Sequence, residues 1–123
     1  MPVPATAFDI DAYSRALERW DVDALADMYT ADTEFVQIDA EHPPSAPRIV
    51  HGIETLKGMF AHCASIGVQS TVHHTISGPE RAAAAITCRF PDGRASTFND
   101  LFELRDGRII RQTEVTINER RVD

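Results

Sequence analysis

The strongest constraint on how this chain folds is the run Phe98-Asn99-Asp100-Leu101-Phe102-Glu103-Leu104-Arg105-Asp106-Gly107-Arg108-Ile109-Ile110. Asp106-Gly107 suits a two-residue hairpin turn, whose central positions need positive φ. The flanking segments are rich in strand-forming residues, so the run reads as strand, tight turn, strand. Alternate side chains of a strand share a face, which puts Phe98, Asp100 and Phe102 together. An aspartate on an aromatic face is either paired with an arginine, such as Arg89 or Arg111, or shielded from water for a chemical purpose.

Upstream of the hairpin the pattern changes. From Asp9 to Arg19, the positions Ile10, Tyr13, Ala16, Leu17 and Trp20 recur at helical spacing. Asp21 reads as the N-cap of a second, shorter helix with Val22, Leu25, Ala26, Met28 and Tyr29 on its inner stripe. Residues 34–39 alternate like a strand, with Phe35, Gln37 and Asp39 on one face and Glu34, Val36 and Ile38 on the other. His42-Pro43-Pro44-Ser45-Ala46-Pro47 is a loop, because proline fixes φ and removes a donor. His51-Gly52 leads into a third helix over 53–65, with Ile53, Leu56, Phe60 and Cys63 inward. Strands follow at 69–77, 82–90, 95–105 and 108–117. Helices first and hairpin-linked strands after predict an α+β fold, three N-terminal helices packed on one face of a highly curved mixed or antiparallel sheet. Such a sheet wraps into a cone-shaped barrel whose mouth is a natural ligand site.

The chain has 123 residues, 43% of them hydrophobic, which suits one domain over 1–123 with its core at 8–117 and loose ends. A net charge of −7 argues against a nucleic-acid or anionic-membrane partner, both of which need basic patches. No apolar run approaches the roughly 18 residues of a membrane span. Met1-Pro2-Val3-Pro4-Ala5-Thr6 lacks the charged and apolar regions of a secretion signal. Cys63 and Cys88 fall on different elements without metal-ligand spacing, so the expectation is a reduced, cytoplasmic protein. The five histidines and scattered acids form no metal-ligand pattern, and no metal is expected. No nucleotide-binding glycine motif occurs, and no cofactor is expected.

The element order resembles the SnoaL-like and ketosteroid-isomerase-like group of the nuclear-transport-factor-2-like superfamily. Tyr13, Leu17, Trp20-Asp21-Val22-Asp23, Leu25, Met28-Tyr29 and Ala31-Asp32 carry the likeness, with His51-Gly52-Ile53, Phe60 and Asp100 through Ile109. The fold implied hosts isomerases, cyclases, dehydratases, hydrolases and binding domains, so it does not name a reaction. Ketosteroid isomerases use a helix tyrosine and a neutral aspartic acid to stabilise an enolate, and a strand aspartate to move the proton. By that resemblance the tyrosine is Tyr13 and the neutral acid Asp100. Gln37 stands at the base position, where an amide has no useful basicity, and Phe60 at that of a supporting tyrosine. Asp39 shares Gln37's strand face and is the substitute base.

The last strand offers two faces. Ile109, Arg111, Thr113, Val115 and Ile117 are the more apolar, and pattern alone turns them inward. The resemblance implies the reverse, with Gln112, Glu114 and Thr116 lining the pocket and the apolar set on a homodimer partner. His73 and His74 alternate, so one of them enters the pocket as a neutral-pH acid or base, or bonds to backbone. His62 is a surface or rim residue. Trp20, Tyr29, Phe35, Phe60, Phe90, Phe98 and Phe102 form wall and core.

The resemblance implies a cofactor-free isomerase, cyclase or dehydratase acting by proton transfer on an apolar cyclic or polyketide-like carbonyl compound. In that reading Asp100 and Tyr13 stabilise charge, while Asp39, Glu114 or His73 moves the proton. Gln37, His74 and the aromatics hold the substrate. A non-catalytic ligand-binding or dimeric scaffold module is the second reading. An epoxide hydrolase is the third, needing Asp39, Arg89 or Arg111, and Asp100 to converge.

Overall fold

The computed structural model describes residues 7–119. The expected loose ends at 1–7 and 118–123, and the opening stretch Met1–Thr6, fall almost wholly outside the described residues. Asn118 is still paired, opposite Ser96.

Helix α1 (Ile10–Arg19) starts where the Asp9 carboxylate accepts the Ala12 N–H at 3.0 Å. It ends at Trp20, a bulky residue in the left-handed region with φ 50°. The Asp21 N–H returns to the Ala16 carbonyl at 2.9 Å, and the Asp21 carboxylate caps α2 (Val22–Ala26) through the Ala24 N–H. Helix α2 is shorter than its apolar stripe suggests. Tyr29 does not belong to it but opens strand β1 (Tyr29–Ile38). The Ile109 N–H bonds to the Met28 carbonyl at 2.8 Å, so a distant strand pulls this segment out of helix.

Strand β2 (Arg48–His51) lies where the sequence reads only as the lead into a helix. It pairs antiparallel with β1, from Glu34 opposite His51 to Gln37 opposite Arg48. Gly52 then caps α3 (Ile53–Ser65) at φ 87°, with its N–H on the Thr33 carbonyl at 2.8 Å. Strands β3 (Gln69–Ser77), β4 (Arg81–Arg89), β5 (Ala95–Arg105) and β6 (Arg108–Asn118) follow close to their expected bounds. Asp106 and Gly107 both take positive φ, 52° and 79°, as the two-residue turn requires.

The sheet order is β2-β1-β6-β5-β4-β3. Only β1 and β6 run parallel; the other neighbours are antiparallel. The sheet curls around the helices but does not close, leaving β2 and β3 as edges, so the cone is an open one rather than a barrel. Its concave face packs Phe35, Ala84, Ile86, Phe102 and Leu104 against Tyr13, Leu17, Leu25, Leu56 and Phe60 of the helices.

A bulge in β6 decides which residues reach that face. Leu104 pairs with Ile109 but Glu103 with Arg111, so Ile110 is extra. Ile109 and Gln112 are therefore both buried, at 0% and 2% exposure, despite their odd spacing. Gln112, Glu114 and Thr116 face inward and Val115 and Ile117 outward, against the apolar pattern of the strand.

Candidate active site

Strands β5 and β6 bring two carboxyl groups side by side. Asp100 stands opposite Glu114, and Phe102 opposite Gln112. This wall, with Tyr13 from α1, bounds a cavity of about 110 Å³. Apolar groups make the rest: Phe35 from β1, Leu56 and Phe60 from α3, and Ile86 from β4. The half-exposed lining residues Trp20, Met59, Cys63, Phe90 and Phe98 mark the outer end. Trp20 Nε1 donates to the Val68 carbonyl at 2.7 Å, which holds the ring at that end.

A directed hydrogen-bond chain runs behind the carboxyls. Tyr29 Oη donates to Gln112 Oε1 at 2.5 Å, and Gln112 Nε2 donates to Asp100 Oδ1 at 2.9 Å. Tyr29 spends its only proton on Gln112, so at the 3.3 Å contact between the tyrosines Tyr13 is the donor. The chain thus points donors at Asp100. Asp100 accepts further from Glu114. Thr116 Oγ1 contacts Glu114 Oε1 at 3.4 Å.

Burial dominates the ionisation of the pair. It lifts Asp100 to about 6, with the hydrogen bonds from Glu114 and Gln112 pulling the other way. Burial also lifts Glu114 well above the carboxylate range, and the neighbouring Asp100 charge adds to that rise. Two carboxyls this close share one proton. The donors aimed at Asp100 leave that proton on Glu114, whose remaining exposure is to the cavity. Burial, and then the Asp100 charge, also holds Tyr13 neutral; burial holds Tyr29 neutral. Burial pushes the Cys88 thiol up to about 11 and raises Cys63 as well, so both stay protonated and unreactive.

Among the described residues no arginine reaches Asp100. Arg89 is exposed. Arg111 turns outward, 3.5 Å from Glu34 and 3.6 Å from Glu103. The Asp-Arg-Asp grouping of an epoxide hydrolase is therefore not assembled from Asp39, Arg89 or Arg111, and Asp100.

Of the expected site residues, Tyr13, Trp20, Phe35, Phe60, Phe98, Asp100, Gln112 and Glu114 meet at the cavity. Tyr29, Phe102 and Thr116 are buried behind its wall. Phe102 lies edge-on to Tyr13, with ring centroids 5.0 Å apart. The remaining four do not line the cavity. Gln37 stands beside Glu114 in the β1–β6 pairing, and its side-chain carbonyl accepts from Arg48 at 3.3 Å. Asp39 closes a turn, taking the backbone N–H groups of Glu41 and His42 and the His42 ring. Partial burial alone would raise its pKa, but the His42 and backbone bonds outweigh that and lower it, making it a poorer base. His73 and His74 are both exposed and neither lines the cavity. A bulge between Val72 and His74 breaks the alternation that would have turned one of them inward. His73 bonds instead to Thr87 Oγ1 at 2.8 Å.

Cys88, Met59 and Val68 line the cavity without having been singled out. The alternation Ala82, Ala84, Ile86, Cys88 along β4 was the available signal for the first. Among the described residues no cluster of histidine, cysteine and acids could hold a metal, and no helix is long and apolar enough to cross a membrane.

A sequence profile of the SnoaL-like domain matches residues 10–112. The chain belongs to that family. No curated protein matches it. Solved structures do. A proposed ketosteroid isomerase from Kribbella flavida superposes with TM-score 0.71 at 16% identity, covering 93% of this chain and 78% of that one. An NTF2-like protein of unknown function from Burkholderia xenovorans gives 0.72 at 17%, covering 93% and 84%. IdmH of Streptomyces antibioticus, a proposed polyketide cyclase, gives 0.65 at 22%, covering 87% and 88%. At these identities the likeness is one of fold.

Proposed function

We propose that this chain is a single-domain, cofactor-free enzyme that moves a proton on a small carbonyl compound with an apolar body, in an isomerisation, cyclisation or dehydration. The observation that carries this reading is the Gln112–Asp100–Glu114 cluster on the wall of an otherwise apolar cavity, with no cationic side chain among the described residues lining it. A carboxylate that ionises near pH 6 is matched to general-base work at neutral pH. A neutral carboxylic acid beside it can donate to a developing oxyanion.

Asp100 then takes the proton from the carbon next to the carbonyl. Once protonated it no longer needs the Glu114 proton, and Glu114 turns its O–H to the enolate oxygen. Return of the Asp100 proton to another carbon completes an isomerisation. These roles reverse the expectation that Asp100 is the neutral acid, because the hydrogen bonds from Glu114 and Gln112 favour the charge on Asp100. Gln37, at the usual base position, has no part in the step. We also propose a homodimer through the outer face of the sheet, where Leu101, Val115 and Ile117 are 48%, 40% and 66% exposed.

The test is hydrogen–deuterium exchange at the α-carbon of cyclopentanone, followed by NMR in heavy water. General-base loss predicts that Asp100→Asn slows protein-dependent exchange by about 100-fold or more. An unchanged rate in the folded variant would sink the role of Asp100.

A further inference from the structure

We propose that the cavity selects a small organic cation, an apolar body bearing a protonated amine, with the Asp100–Glu114 pair as its counter-charge. This rests on the proposed function for how the site works, and adds the charge and size of what enters it.

Two adjacent carboxyls that share one proton leave one negative charge in the enclosure. The polar and titratable groups around the pair come from every neighbouring element: Tyr13 on α1, Tyr29 and Gln37 on β1, Cys63 on α3, Cys88 on β4, Gln112 and Thr116 on β6, with the charge of Asp39, just past β1, also acting on Glu114. None is a cation. Arg111 is turned away to Glu34 and Glu103, and Arg89 is exposed. A charge withdrawn from water without a counter-ion is costly, so a ligand that brings one gains what the protein withholds.

The walls suit the same ligand. The rings of Trp20, Phe35, Phe60, Phe90 and Phe98 surround the cavity, and aromatic rings attract cations as well as excluding water. The volume sets the size. At about 110 Å³ the cavity is smaller than the roughly 150 Å³ that takes up benzene. A five-membered ring or a short branched amine fits within the cavity, and a fused-ring compound would extend past its outer end. A positively charged nitrogen beside the reacting carbon also acidifies its C–H bonds, which suits the proton transfer proposed above.

The probes are pyrrolidine hydrochloride and cyclopentanone, rings of equal size that differ in charge, titrated into the wild-type protein. Pyrrolidinium should bind more tightly than cyclopentanone by about tenfold or more at pH 8. Its affinity should fall about tenfold from pH 8 to pH 5, as Asp100 takes up its proton, while that of cyclopentanone stays level. Asp100→Asn together with Glu114→Gln should erase the preference, because neither carboxyl then remains to carry the charge. If that variant does not fold, the pH series on wild type decides alone. Equal or better binding of cyclopentanone, no binding of pyrrolidinium, or a preference that ignores pH overturns the inference. Asp100-dependent exchange of cyclopentanone with no preference for the cation leaves the proposed function standing and removes only this step. Cation binding with no exchange does the opposite.

Discussion

Asp100→Asn should make the fold more stable at neutral pH while removing its chemistry. The side chain is 4% exposed, and it ionises near 6 in the fold against 3.8 when free. The folded chain therefore holds this proton more tightly than the unfolded chain does. By linkage, the stability that the protonated carboxyl contributes is complete below pH 3.8. It is lost as pH rises toward 6 and stays lost above. The gap is worth about 3 kcal/mol at pH 8, of which only a small part is already present at pH 4. Asparagine keeps the shape and an acceptor for Gln112 but has nothing to ionise. The stability of the variant relative to wild type should thus rise by about 2–3 kcal/mol from pH 4 to pH 8, or about 10 °C in Tm. Glu114 adds in the same direction, because loss of the Asp100 charge eases its own ionisation. Urea unfolding followed by the fluorescence of Trp20, the single tryptophan, measures it. Other carboxylates, Asp39 among them, cancel in the difference. A difference that is flat with pH, or that moves toward wild type, refutes the reasoning.

Three further outcomes are expected. Tyr29→Phe leaves the buried Gln112 carbonyl without its donor and should cost about 1–3 kcal/mol in urea unfolding; a neutral result would mean that Gln112 is oriented by something else. The His73→Ala/His74→Ala double variant should exchange cyclopentanone at the wild-type rate, since both rings lie outside the cavity; a slowed rate would return one of them to the site. Val115→Asp with Ile117→Asp should turn the proposed dimer into a monomer in light scattering, because each puts a charge on the exposed apolar face; a dimer that survives would refute this interface.

Much of the architecture was legible in local pattern. The helical spacing from Ile10 to Trp20, the Asp21 cap and the Asp106-Gly107 turn depend on neighbours a few residues away, and each reads correctly. Strand β2 and the early start of β1 were not legible. Their partners lie in β1 and β6, and a short run such as Arg48–His51 has no strand character until a partner supplies its hydrogen bonds. The site divides in the same way. Alternation put Asp100 between Phe98 and Phe102, and that arrangement survives in the fold. Alternation also put one of His73 and His74 in the pocket, and a single bulge undid it.

The sequence by itself determined most of the elements, the α+β class and the family, because caps, turns and side-chain periods are local properties of the chain. It also determined that a carboxylate would sit among aromatics. Only the tertiary structure decided which face of β6 looks inward, since that depends on one extra residue at Ile110 in the pairing with β5. That same bulge sets Gln112 and Glu114 beside Asp100, 12 and 14 residues away along the chain and on the neighbouring strand. Burial then moves the ionisation of both acids. Neither the proximity nor the loss of water is a property of any residue alone, and the chemistry proposed here rests on both.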